Sequence, residues 1–156
     1  MLQTMMAMGL DVNSVDQNGD SPLHLAVNGN YFEGVEKLVA NNKLNIDLMN
    51  YNGSTALQSS VRNGNLAIVR ILGESGASFT KKNPKNGNNL MHEAVSADCS
   101  PELIKYLFEI NKDFFSEDKN LTGYEAYVLA KKMSCDSEIL NLFENEVDLT
   151  GNYIYF

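Results

Sequence analysis

A chain of 156 residues with 44% apolar composition carries enough nonpolar surface to bury one core. No apolar run approaches the roughly 18–20 residues of a membrane-spanning helix. Its opening, Met1-Leu2-Gln3-Thr4-Met5-Met6-Ala7-Met8, lacks the basic start and unbroken apolar stretch of a signal peptide. A net charge of −8 repels a phosphate backbone, which argues against direct nucleic-acid binding and favours encounter with a basic protein partner.

In chain order, residues 1–15 read as the closing half of a repeat, a second helix and an exit loop ending Gly9-Leu10-Asp11-Val12-Asn13, without its first helix. Leu2, Met5, Met6 and Met8 would then leave an apolar edge. The expectation is a fragment or truncated gene, the alternative being an edge that something else covers. Three segments follow in register: Gly19-Asp20-Ser21-Pro22-Leu23-His24-Leu25-Ala26-Val27, Gly53-Ser54-Thr55-Ala56-Leu57-Gln58-Ser59-Ser60-Val61 and Gly87-Asn88-Asn89-Leu90-Met91-His92-Glu93-Ala94-Val95. Their first glycines are 34 and 34 residues apart, and a degenerate copy begins at Gly123, 36 further on. A period of about 33 around a T-P-L-H-x-A motif is the ankyrin signature.

Each residue type in the motif has a physical reason. Ser21 and Thr55 can accept hydrogen bonds from the free amides of a first helical turn. Pro22 occupies the first helical position, where its missing N–H is no loss. Gly19, Gly53 and Gly87 supply positive φ before each first helix. Leu23, Leu57 and Met91 fill the space between repeats, while Ala26, Ser60, Ala94 and Ala130 are small enough for close helix approach. Second helices follow with apolar faces at helical spacing: Phe32, Val35, Leu38, Val39; Leu66, Ile68, Val69, Leu72; Leu103, Ile104, Leu107, Phe108; Ile139, Leu140, Leu142, Phe143. Gly76 is placed as a C-cap, and the stretches Ala97-Asp98-Cys99 and Asn83-Pro84-Lys85-Asn86 read as longer than their counterparts. The expected fold is therefore all-α, an ankyrin-repeat solenoid of helix-turn-helix units joined by hairpin-like loops. Repeats are placed at residues 16–49, 50–82 and 83–118 (with insertions), a degenerate capping repeat at 119–145, and an acidic, aromatic tail at 146–156.

Catalytic chemistry finds no support. His24 and His92 share one repeat position, where the ring is expected to hydrogen-bond backbone in a neighbouring loop. Cys99 and Cys135 have no metal-ligand spacing, and nothing basic near Cys99 would stabilise a thiolate. No catalytic residue, cofactor site or metal site is assigned, and reduced thiols suggest a cytoplasmic or nuclear protein.

Within the ankyrin proteins, several segments resemble the IκB family. Asn50-Tyr51-Asn52-Gly53-Ser54-Thr55-Ala56-Leu57 is similar to that family's N-Y-x-G-x-T opening. The lead-in and third copy from Gly76 to Val95, with the turn Cys99-Ser100-Pro101-Glu102-Leu103, resemble its longer-looped repeat, and Gly123-Tyr124-Glu125-Ala126-Tyr127 its closing G-Y-S-P-Y. The resemblance covers roughly residues 10–130. It implies inhibition or modulation of a Rel/NF-κB dimer through a basic segment of that partner. The family's D-S-G-x-x-S phosphodegron is absent, Gln58 replaces the usual His, and Ser59-Ser60 replaces Leu-Ala. The alternatives are a generic ankyrin adaptor with an unrelated protein partner, or an ankyrin fragment of a larger multidomain protein.

Ankyrin stacks bind through hairpin tips and the exposed face of the first helices, where side chains need not serve the core. Here those positions are Gln17, Asn18, Asp20 and Leu25; Tyr51, Asn52, Ser54, Ser59 and Arg62; and Lys85, Asn86, Asn88, Glu93 and Ser96. Tyr51 and Leu25 stand out as exposed apolar candidates, because aromatic and apolar anchors dominate interfaces.

Overall fold

The computed structural model describes residue 9, residues 11–110 and residues 118–144. The chain divides into two compact units, Met1–Lys81 and Lys82–Phe156. Regular structure among the described residues is helical, and Met49 and Thr55 form an isolated antiparallel bridge. In the first unit lie α1 (Pro22–Asn28), α2 (Phe32–Val39), α3 (Ala56–Arg62) and α4 (Leu66–Glu74). The second holds α5 (Leu90–Ser96), α6 (Pro101–Ile110), α7 (Ala126–Lys132) and α8 (Ser137–Glu144). Both units pack alike: first helices meet first helices, second meet second, and each first helix lies against the second helix of its own repeat. This is the all-α helix-turn-helix architecture that the sequence period implies.

Three of the first helices begin with the same device. Ser21, Thr55 and Asn89 each accept a hydrogen bond from the backbone N–H three residues on, at His24 (3.4 Å), Gln58 (3.2 Å) and His92 (3.0 Å). In return those third residues reach back to the N-cap N–H, completing a capping box. The side chains beneath, Leu23, Leu57 and Met91, are fully buried, as are Ser60 and Ala94, and Ala26 is buried with them. Asn30, Gly64, Asp98 and Ser134 all hold positive φ between paired helices. Four residues separate α5 from α6 where three separate α1 from α2, so the Ala97-Asp98-Cys99 turn is longer, as its sequence suggests. At the end of α4, Gly76 has φ +91°, its N–H donates to Gly73 O, and the Ala77 N–H donates to Leu72 O. That pair of bonds makes Gly76 the left-handed residue of a Schellman motif.

The second helices bury the expected aliphatic faces: Val35 and Leu38, then Ile68, Val69 and Leu72, then Leu103, Ile104, Leu107 and Phe108, then Ile139 and Phe143. Phe32 departs from expectation, being 41% exposed. Its neighbourhood explains this. α4, α6 and α8 each place a buried aliphatic residue at the third helical position (Ile68, Leu103, Ile139), but α2 has Gly34 there. The ring of Tyr31, at the N-cap, lies against the Gly34 Cα where a Cβ would have to be. Tyr31 makes no side-chain cap bond, whereas Asn65 caps α4 through its amide oxygen. Repeat one thus has a half-exposed tyrosine ring over a glycine where the others have a core aliphatic, and α2 enters with its first side chain turned outward.

The half-repeat expected over residues 1–15, with its apolar Leu2, Met5, Met6 and Met8, lies outside the described residues apart from Gly9 and residues 11–15. The tail over 146–156 lies outside them entirely.

Because Leu23 and Leu57 are fully buried, Leu23→Ala and Leu57→Ala are each expected to destabilise the first unit by about 2–5 kcal/mol. Chemical denaturation followed by circular dichroism checks this, and unchanged midpoints would remove both residues from the core.

Candidate protein-binding surface

Every described hairpin tip opens with an Asp or Asn whose side-chain oxygen gathers the turn. Asp16 accepts from the N–H groups of Asn18 (2.8 Å) and Asp20 (2.9 Å). Asn50 accepts from Asn52 (3.1 Å) and Ser54 (3.0 Å), and Asn120 from Thr122 and Tyr124 (both 3.1 Å). Asn83 accepts from Lys85 (2.9 Å) in a tip closed by Asn83 N–H to Asn88 O, one residue wider than the Asp16–Asp20 closure. Adjacent tips within each unit are also tied. The Tyr51 N–H donates to Asn18 O (3.0 Å) and Asn50 Nδ2 to Asp20 Oδ1 (2.7 Å). In the second unit Leu121 N–H donates to Asn86 O (2.8 Å) and Asn120 Nδ2 to Asn88 Oδ1 (3.1 Å). These are Asx turns stitched side by side, which leaves the tips pre-organised.

Behind the tips, the third residue of each first helix straps its repeat to the following loop. His24 Nε2 donates to Ser54 O (2.9 Å), Gln58 Nε2 to Lys81 O (3.1 Å) and His92 Nε2 to Tyr124 O (2.8 Å). Nε2 of each ring donates to its carbonyl; Nδ1 of His24 can then accept from the Ser21 N–H and hydroxyl, while Nδ1 of His92 faces both the Asn89 N–H (3.4 Å) and the Asn89 side-chain amide (2.7 Å). Both rings are fully buried and committed to this task. Burial pushes the His92 pKa below its ordinary 6.5, outweighing the bond to Tyr124 and the charges of Asp118 and Glu93, which favour the cation. Cys99 is buried, and burial, with Asp98 nearby, holds the Cys135 thiol above its usual value, so it stays protonated. Among the described residues, no group of three or more His, Cys, Asp or Glu side chains is placed to hold a metal ion.

The expected surface residues divide by burial. Gln17, Asn18, Leu25, Tyr51, Asn52 and Arg62 are exposed in the first unit, and Lys85, Asn86 and Ser96 in the second. Asp20 and Asn88 are half-buried in the ties just described. Three residues are corrected: Ser54, Ser59 and Glu93 are 1%, 5% and 4% exposed. Ser54 lends its carbonyl to His24 and its hydroxyl to Arg62 Nη2 (3.0 Å). Ser59 sits between the buried Gln58 and Ser60. The Glu93 carboxylate turns back to accept from Asn88 Nδ2 (3.2 Å). Ser59 and Glu93 hold the register of Leu25, which is 52% exposed, so the same position is surface in one repeat and interior in others.

What remains in the first unit is an aromatic tip on an acidic face. Tyr51 is 62% exposed. Its ring lies over Gly19, where a Cβ would stand 2.5 Å from Tyr51 Cδ1 and 2.6 Å from Tyr51 N. Residues 11–36 and 44–61 contain Asp11, Asp16, Asp20, Glu33, Glu36 and Asp47 and no Lys or Arg, and Arg62, next in sequence, is bonded back to Ser54. The sequence reading missed Leu121, which is 70% exposed and makes the same backbone bond as Tyr51. The signal was present in the shared Asn-x-x-Gly register of Asn50-Tyr51-Asn52-Gly53 and Asn120-Leu121-Thr122-Gly123.

A family model described as ankyrin repeats (3 copies) matches residues 1–83. Over 88 residues the chain is 38% identical to the B-cell lymphoma 3 protein homolog of Mus musculus, covering 56% of this chain and 19% of that protein. Over 138 residues it is 27% identical to the ANK repeat-containing protein nipk-1 of Caenorhabditis elegans, covering 79% and 22%. It is 26% identical over 99 residues to the NF-kappa-B inhibitor cactus of Drosophila melanogaster, covering 64% and 19%. The chain spans about a fifth of the length of these curated relatives.

With its pKa depressed in the fold, His92 binds fewer protons folded than unfolded between the two values, so stability rises with pH there. The neutral ring's contribution is present above about 6.5 and lost as pH falls below it. His92→Gln, which keeps an amide donor like that of Gln58, is expected to flatten this slope. Melting at pH 7.5 and 5.5 tests it: equal acid sensitivity in wild type and variant would discount the ring.

Proposed function

The chain belongs to the ankyrin-repeat family, and from that premise we propose that it is a protein-binding module that inhibits or modulates NF-κB/Rel transcription factors in the manner of IκB proteins, in the cytoplasm or nucleus. The observation that carries this reading is the tip face of the unit Met1–Lys81. Tyr51 stands exposed and held by backbone in a pair of tips, residues 16–20 and 50–54, that carries Asp16 and Asp20 and no Lys or Arg, with Arg62 behind it bonded back to Ser54. A basic segment of a Rel dimer suits that chemistry. A lysine or arginine can stack on the Tyr51 ring, a contact that gains strength as it is desolvated. Asp16 and Asp20 add attraction that speeds encounter. Leu25, 52% exposed on α1, offers an apolar contact beside them. The likeness to the mouse B-cell lymphoma 3 homolog and to the fly NF-kappa-B inhibitor supports the choice of partner.

A second reading, a generic ankyrin adaptor, is favoured by the match to nipk-1, which covers 79% of this chain and carries no partner in its name.

Titration of purified Rel-homology dimers into the chain at low and physiological salt separates the two. The Rel reading expects salt-sensitive binding that Tyr51→Ala weakens about tenfold while leaving the melting temperature unchanged. A folded chain that binds no Rel dimer supports the adaptor.

A further inference from the structure

The second unit carries its own tip surface, of opposite sign to that of the first. The unit Lys82–Phe156 has 13 acidic and 7 basic residues, a net charge of −6, so its bulk is acidic. Its hairpin tips are not. Lys82, Lys85 and Lys119 lie in or beside the segments Asn83–Asn88 and Asn120–Tyr124 that form them. Among the described residues, the carboxylates beside these lysines are Asp118, taken up by Lys82 at 2.7 Å, Glu125, and Glu93, which is buried and bonded to Asn88. Lys85 is exposed, and Lys119, 60% exposed, makes only a long 3.9 Å ion pair with Glu125, weak as surface pairs are. In the same pair of tips is Leu121, at 70% the most exposed large apolar side chain among the described residues.

Nothing in folding explains an exposed leucine here. Its backbone N–H is fixed by Asn86 O, next in sequence to Lys85, and Leu121 follows Lys119 by two residues, so both lysines border it. Gly87 lies directly under it: a Cβ there would meet Leu121 N at 2.7 Å and Leu121 Cγ at 3.1 Å. The Asn120 amide completes the frame, its oxygen held by Thr122 and Tyr124 and its nitrogen by Asn88. An exposed leucine on a backbone-held tip, with Lys85 and Lys119 in the same tip segments, has the charge complement of an acidic segment bearing a large apolar residue.

We propose that the Lys85–Leu121–Lys119 surface docks such a segment of a partner protein, in which Asp or Glu residues alternate with leucine or phenylalanine. The carboxylates meet the two lysines and the apolar side chain covers Leu121. This is a second binding surface, independent of the Rel reading, because it selects a partner of the opposite charge. A peptide segment is preferred to a nucleic acid since two lysines on a unit of net charge −6 cannot follow a phosphate backbone.

The test uses the full chain and four fluorescent probes read by anisotropy: a 12-residue peptide alternating Glu with Leu and Phe, the same peptide with Lys for Glu, the same with Ser for Leu and Phe, and a single-stranded oligonucleotide. The acidic apolar peptide is expected to bind, weakening with salt, and the other three to bind at least about tenfold less tightly. Leu121→Ser and the double variant K85E/K119E are each expected to weaken it about tenfold, with helicity unchanged by circular dichroism. Tyr51→Ala should leave it unaltered, which separates failure here from failure of the Rel reading. Equal binding of the lysine peptide, tight binding of the oligonucleotide, or indifference to both Leu121→Ser and K85E/K119E would overturn the proposal.

Discussion

The hydrogen bond from the third residue of a first helix to a carbonyl in the following loop is the constraint on which the rest of this structure depends. A single ankyrin repeat buries too little to stand alone, and stacking needs polar as well as apolar closure. The carbonyls of Ser54, Lys81 and Tyr124 receive the straps from His24, Gln58 and His92. Left unpaired in a buried setting, such a carbonyl would cost about 1–3 kcal/mol. The strap also fixes where each hairpin tip stands relative to the helix behind it. The tip ties from Tyr51 to Asn18 and from Leu121 to Asn86 follow from that placement.

The strap constrains one donor atom and leaves the rest of the residue free. Gln58 fills the role with an amide, and its Oε1 accepts from the Thr55 N–H (2.9 Å) where a histidine would use Nδ1. The substitution that looked like a departure from the motif is thus a chemical equivalent, differing in that an amide does not titrate. Repeat one shows the same economy at another position. There the half-exposed ring of Tyr31 covers the Cβ site of Gly34, at the helical position where α4, α6 and α8 carry Ile68, Leu103 and Ile139. The cap that Asn65 supplies to α4 is absent there.

Conserving the frame while varying the tips is what allows the two units to differ in surface. The first presents Tyr51 beside aspartates, the second Leu121 beside lysines, each held by the same kind of backbone bond to the preceding tip. A partner reads side chains that the fold does not need, and the fold holds them still by main-chain contacts that do not depend on their identity. Such surfaces bind with little ordering cost, because loop entropy has already been spent in folding.

By itself the sequence determined the helix-turn-helix period, the capped starts of the first helices, the buried leucines at Leu23 and Leu57, the left-handed Gly76 and the backbone-bonding role of both histidines. These are local or periodic signals, and a repeat prints each of them several times. Only the tertiary structure decided which tip and helix positions reach solvent. Ser54, Ser59 and Glu93 occupy surface register yet are buried, and Phe32 occupies core register yet is exposed. Leu121 emerged as a tip residue only when its backbone bond to Asn86 was seen. The physical reason is that burial depends on what lies across from a residue, whether an adjoining loop, as Asn88 for Glu93, or the preceding repeat, as His24 for Ser54. Periodicity records a residue's own face and says nothing of its neighbour's.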